Sequence, residues 1–167
     1  MSTEIERKFK IDPSFLPKDI NKFSNCSIAQ GYVAVEEKAE IRVRRMGKEC
    51  FLTVKTGSGI LREEKEIQLT EDNFSKLWPL TKGKRIKKTR YYIPAGENQI
   101  ELDIYEGRFQ GLVTAELEFS SIETCRDFQP PDWFGPDISE DAGYKNKNLA
   151  VQGMPSPKKE RRIRDKK

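Results

Sequence analysis

Strand-like runs whose charged residues fall on alternate positions recur along this chain. In Glu4-Ile-Glu-Arg-Lys8, the side chains of Glu4, Glu6 and Lys8 share one face of an extended strand, while Ile5, Phe9 and Ile11 line much of the other. The same period of two separates Arg42 and Arg44 from Ile41 and Val43, and Thr53 and Lys55 from Leu52 and Val54. It separates Lys88 and Arg90 from Thr89 and Tyr91, Glu101, Asp103 and Tyr105 from Leu102 and Ile104, and Glu116 and Glu118 from Ala115, Leu117 and Phe119. Arg62, Glu64 and Glu66 alternate with Leu61, Glu63, Lys65 and Ile67, so that run is polar on both sides for half its length. With a run at Ile28 to Val35, seven of eight candidate strands carry a charged face.

A solvated sheet face accommodates mixed charges and is the plainer account of any one of these runs. Across the set, however, like charges are gathered: Arg42 with Arg44 and Lys88 with Arg90, against Glu4 with Glu6 and Glu116 with Glu118. Adjacent like charges on a sheet cost roughly a few tenths of a kcal/mol or more each, and a ligand of opposite sign offsets that cost. Turn chemistry at Met46-Gly-Lys-Glu49, Thr56-Gly-Ser-Gly59 and Pro94-Ala-Gly-Glu-Asn98 joins neighbouring runs into hairpins and predicts an antiparallel sheet. Thr70 begins a capped helix that stops before Pro79, Ser120 with Glu123 opens a second in capping-box style, and a third covers about 144–151. Eight antiparallel strands close into a barrel wide enough for one small ligand. The expected fold is therefore mostly β (α+β): a closed eight-stranded antiparallel barrel, charged side inward. A few helices around Phe74, Leu77, Trp78, Phe128, Trp133 and Phe134 would cover its apolar outside.

Composition narrows the chemistry. The chain has 167 residues and no histidine, which removes the commonest general base and every Ser-His or Cys-His nucleophile pair. Cys26, Cys50 and Cys125 are odd in number and far apart, suiting neither a disulfide framework nor a zinc site. No apolar run reaches membrane-spanning length and the N-terminus carries no signal-peptide core, so a cytoplasmic protein with no membrane partner is expected. The formal charge of +4 misleads, because residues 155–167 hold seven bases and two acids, leaving net −1 on residues 1–154. Residues 1–154 are read as one domain and 155–167 as a basic, disordered tail, through which any nucleic-acid contact would run.

Converging Arg and Lys side chains hold a compact, highly charged anion. Paired carboxylates without thiolate or imidazole select hard cations such as Mg²⁺ or Mn²⁺, which bridge carboxylate to phosphate oxygens. Together they describe a metal–polyphosphate site, and no Gly-x-x-x-x-Gly-Lys-Ser/Thr phosphate loop is present.

Glu4-Ile-Glu-Arg-Lys8 resembles the Glu-x-Glu-x-Lys signature of the triphosphate tunnel metalloenzymes, the CYTH superfamily. The likeness continues through Gln30-Gly-Tyr32, Ile41-Arg-Val-Arg44, Leu52-Thr-Val-Lys55, Arg62-Glu-Glu-Lys-Glu-Ile67, Lys88-Thr-Arg-Tyr91, Glu101-Leu-Asp103 and Ala115-Glu-Leu-Glu-Phe119. It ends with Trp133-Phe-Gly135 and Tyr144-Lys-Asn146, and it most resembles the small bacterial inorganic tripolyphosphatases. The resemblance implies metal-dependent hydrolysis of tripolyphosphate to pyrophosphate and phosphate. Glu4, Glu6, Glu116 and Glu118 would hold Mg²⁺ or Mn²⁺, with Asp103 a further ligand and Glu64 and Glu66 nearby, orienting water. Lys8, Arg42, Arg44, Lys55, Lys88 and Arg90 would clamp the triphosphate, with Arg62 either joining them or pairing with Glu64. Tyr32 and Tyr105 are expected as packed wall residues. Relatives that cyclise ATP or hydrolyse thiamine or nucleoside triphosphates share the same grip, and a polyphosphate-binding module without turnover is the rival from another class. A homodimer is left open.

Overall fold

A computed structural model describes residues 5–58 and 61–156, the side chains of Ser58, Leu61 and Arg62 excepted. Glu4 and most of the basic tail therefore lie outside the described residues. Eight strands follow the expected runs: β1 (Ile5–Ile11), β2 (Asn25–Val35), β3 (Ala39–Met46), β4 (Glu49–Ser58), β5 (Leu61–Leu69), β6 (Arg85–Ala95), β7 (Asn98–Tyr105) and β8 (Val113–Phe119). Among the described residues three short α-helices, α1 (Glu71–Leu77), α2 (Ile122–Asp127) and α3 (Asn146–Gln152), and five 3-10 turns accompany the sheet. The β3–β4 turn needs a left-handed residue, and Gly47 supplies it at φ 57°.

Every strand pairing is antiparallel, in the order β1-β8-β7-β6-β2-β3-β4-β5. The expected closed barrel does not form, because β1 and β5 are the two edges of this sheet rather than partners. The chain itself supplies the reason. Residues 135–139 occupy the outer edge of β1: the Lys10 N–H donates to Pro136 O (3.0 Å), Gly135 N–H to Lys10 O (3.0 Å), and Ile138 N–H to Lys8 O (2.8 Å). The Lys8 N–H donates to Ser139 Oγ at 2.9 Å. With those groups satisfied, β1 has little left along this stretch for β5 to bond. On β5, Glu63 to Gln68 are all exposed, so closure would bury charge rather than apolar area.

The apolar faces pack as the alternation predicts. Phe9, Ile93, Leu102, Ala115 and Leu117 form the largest core, covered from outside by Phe128, Trp133 and Phe134. Thr70 caps α1 by accepting from the Asn73 N–H, and the helix buries Phe74 against Val43 and Cys50. The α2 cap falls one residue later than expected: Ser121 and Thr124 form the reciprocal box. All three cysteines are free. Among the described residues no helix is long and apolar enough to cross a membrane.

One apolar cluster was not expected. Tyr32, Ile86 and Tyr105 stand on the cavity side of the sheet and pack on Leu149 and Ala150 of α3, both fully buried. That helix fills one end of the space enclosed by the curved sheet, which is therefore a cup and not an open-ended passage.

The strap over β1 requires a backbone with no side chain at residue 135, where a Cβ would lie 2.3 Å from Lys10 O. Gly135→Ala is expected to destabilise the fold by about 1–3 kcal/mol, read as a lowered urea midpoint. An unchanged midpoint would show that the strap does not hold β1.

Candidate active site

The concave face encloses a cavity of about 630 Å³ lined by Glu6, Lys8, Arg42, Arg44, Lys55, Glu64, Lys88, Arg90 and Glu116. Register explains the convergence. Lys8 stands opposite Glu116, and Glu116 opposite Glu101, placing three charged side chains in one row across β1, β8 and β7. Glu6 stands opposite Glu118 in the next row. Arg90 faces Asp103 across β6 and β7, and Lys55 faces Glu64 across β4 and β5.

The deepest part of the site is a buried charge cluster. Asp103, 3% exposed, accepts from Lys88 Nζ at 2.5 Å and from Arg90 Nε and Nη2 at 2.7 and 2.8 Å. Arg90 also pairs with Glu101. Burial alone would raise the Asp103 carboxyl, but Lys88 and Arg90 overcome it and hold the pKa at about 2. Burial pushes Lys88 down to about 8 despite Asp103, with Arg90 and Lys8 adding repulsion. In this arrangement three hydrogen bonds to the Asp103 oxygens position two cations.

Nearer the surface the pairs are looser. Lys55 meets Glu64 at 2.9 Å, Arg44 meets Glu66 at 3.4 Å, and Lys8 meets Glu116 at 3.8 Å. Arg42 has no carboxylate partner among the described residues and donates to Thr53 Oγ1 at 3.2 Å. The buried Nε atoms of Arg42 and Arg44 lack any hydrogen-bond partner. Burial, with Arg42 alongside, holds the Arg44 guanidinium below its ordinary value. Each unpaired buried donor costs about 1–3 kcal/mol.

Glu6, Glu101, Glu116 and Glu118 also border a second, acidic cleft beside the cavity. Burial lifts the Glu101 carboxyl above its usual range, opposed by Arg90 and assisted by Glu116. Among the described residues no three such carboxylates already converge into a cation site. The donor chemistry still fits a hard divalent cation, since every available ligand atom is a carboxylate oxygen and phosphate oxygens and water would complete the shell. Glu4 and the Arg62 side chain, both expected in the site, lie outside the described residues.

A family model described as a CYTH domain matches residues 2–165. The chain belongs to the CYTH domain family. The inorganic triphosphatase of Nitrosomonas europaea is 40% identical over 151 residues, covering 89% of this chain and 97% of that relative. The inorganic triphosphatase of Acetivibrio thermocellus is 32% identical over 151 residues, covering 89% of this chain and 94% of its own. A crystal structure of an inorganic triphosphatase superposes with a TM-score of 0.74 at 37% identity, covering 93% of this chain and 99% of that one.

Several wall residues of this CYTH chain escaped the sequence reading. Glu40 lines the cavity on the same β3 face as Arg42 and Arg44, so its parity was a usable signal. Ser139, Lys145, Asn146 and Lys147 also line it. They come from a segment without strand periodicity, and only the Tyr144-Lys-Asn146 motif marked the place. Within it, Tyr144 O accepts from Lys8 Nζ at 3.1 Å and Asn146 Oδ1 accepts from the Tyr105 hydroxyl at 2.9 Å.

Removing Asp103 leaves the buried Lys88 without its counter-ion and Arg90 with Glu101 alone, so Asp103→Ala is expected to cost about 3–5 kcal/mol. The folded pKa of about 2 lies below the ordinary 3.8, so this contribution is fully present above that value and fades as pH falls from 3.8 toward 2. Urea unfolding of wild type and variant across that range should show the gap narrowing. A pH-independent gap would reject the ion-pair origin.

Proposed function

We propose that the protein hydrolyses inorganic tripolyphosphate to pyrophosphate and phosphate, with Mg²⁺ or Mn²⁺ as cofactor. The observation that carries this reading is the cavity itself. Six cations from four strands, Lys8, Arg42, Arg44, Lys55, Lys88 and Arg90, converge there, and two buried guanidinium nitrogens lack partners. The 40% identical relative being an inorganic triphosphatase supports the choice of substrate.

Phosphoryl transfer asks for positioning and charge neutralisation more than for covalent chemistry. Lys88 and Arg90, fixed by Asp103, form a rigid floor, and Arg42 and Arg44 present planar donors to phosphate oxygens. Lys8, Lys55 and Arg44 exchange their loose carboxylate partners for phosphate oxygens. Glu116 is then released toward Glu6 and Glu118, the set that with Glu4 would hold the divalent cation. That cation would neutralise phosphate oxygens and acidify an attacking water. Glu64 and Glu66, freed from Lys55 and Arg44, become acceptors that orient the water and take its proton. No histidine is required at any step.

The test is phosphate release from tripolyphosphate and from ATP, each with Mg²⁺, Mn²⁺ or EDTA, with nucleotide products separated by chromatography. Rapid metal-dependent cleavage of tripolyphosphate and slow or no use of ATP is expected. Cyclic AMP from ATP would reassign the reaction, and no turnover of either would remove it. Arg42→Ala should lower kcat/KM for tripolyphosphate by about 10²-fold, the scale for losing one preorganised donor to developing charge. A change under threefold would displace Arg42 from the grip.

A further inference from the structure

Along the cavity face of β3 the charges run Arg44, Arg42, Glu40, so the sign reverses one two-residue step beyond the last arginine, roughly 7 Å along the strand. Glu40 is not a surface acid. Its side chain is 12% exposed and pairs at 3.4 Å with Lys147 of α3, the helix that fills this end of the cup. Glu40, Lys55 and Lys147 also line a small crevice on the other side, bordered by Glu37, Lys38, Thr56 and Gly57. These three side chains thus border both the cavity and the crevice, and the Glu40–Lys147 ion pair is part of the boundary the two share.

Total volume does not limit the length of a phosphate chain in this site. Pockets of about 300–1,000 Å³ enclose drug-sized ligands, and this cavity of about 630 Å³ exceeds the needs of a bare triphosphate. Charge at the end of the site can set one.

We propose that Glu40, held by Lys147, is the end stop of the phosphate site and restricts it to chains of three phosphates by placing a carboxylate where a fourth would lie. The inference rests on the tripolyphosphate reading above and adds its chain-length selectivity. A fourth phosphate would meet Glu40 at close range in a half-buried setting where screening is weak. It would also find Lys147 already neutralised. The plainer role, an ion pair that merely pins α3 to β3, predicts a different response to mutation. Removing either partner would then loosen the same contact and move selectivity in one direction.

Dissociation constants for tripolyphosphate and tetrapolyphosphate, measured by calorimetry in EDTA where nothing turns over, separate the two. The same two anions are compared as substrates with Mg²⁺. Wild type should favour the shorter chain at least tenfold. Glu40→Gln removes the repulsion and frees Lys147, so the preference should shrink at least tenfold. Lys147→Met leaves Glu40 uncompensated, so the preference should grow. Because each preference is a ratio within one protein, partial loss of folded material cancels. Equal wild-type affinities, an unmoved preference in Glu40→Gln, or variants shifting in the same direction would overturn the end stop. A wild type that discriminates by length without cleaving either anion would overturn the hydrolase reading and leave the end stop standing.

Discussion

One buried carboxylate carries the charge balance of the site. Asp103 bridges Lys88 and Arg90 in the interior of the sheet, and Glu101 supplies the second negative charge on Arg90. Without that carboxylate Lys88 would stand desolvated beside Arg90 with no counter-ion of its own, and burial would drive it to shed its proton. With it, both side chains are locked by short hydrogen bonds and present their remaining donors without reorganisation. The looser pairs above follow the opposite design: at 2.9 to 3.8 Å and partly exposed, Lys55–Glu64, Arg44–Glu66 and Lys8–Glu116 are exchangeable. The site thus grades from a fixed floor to a mobile set of counterions at its mouth.

The open sheet follows from where the chain spends its backbone hydrogen bonds. Segment 135–139 binds the outer edge of β1, and the chain then crosses the cavity. Tyr144 O accepts from Lys8, and α3 is tied to Glu40 through Lys147. A strap does what strand pairing between β1 and β5 would do in a closed barrel. The consequence is asymmetric: one wall of the cup, β5, is exposed and charged, while the end beneath α3 is packed with Tyr32, Tyr105 and Leu149.

Strand positions and facing were legible because alternation is a local property: each of Lys8, Arg42, Arg44, Lys55, Lys88 and Arg90 reached the cavity that its parity assigned. Closure was not legible. It depends on whether β1 has free edge groups when β5 arrives, and the competitor, Gly135 to Ser139, lies far along the chain in a stretch with no periodicity. The ion pairs of Asp103 were illegible for a related reason. Parity placed it among the charges, but only the three-dimensional register revealed that it would take three hydrogen bonds from Lys88 and Arg90. Glu40 shows the reverse: its face was readable, yet an acid in a row of arginines fitted no motif and so drew no assignment.

The sign pattern on β3 joins these points. A surface built only to attract polyphosphate would extend its cations as far as the strand allows, gaining affinity for chains of any length. Instead the row stops at Arg42, and the next inward position holds a carboxylate whose partner lies on the one helix that closes the cup. Discrimination between anions that share every phosphate but the last cannot come from attraction, since the longer chain offers all the same contacts. An opposing charge at the point where the two differ supplies it, and in the described structure the arginine row on β3 ends on such a charge at Glu40.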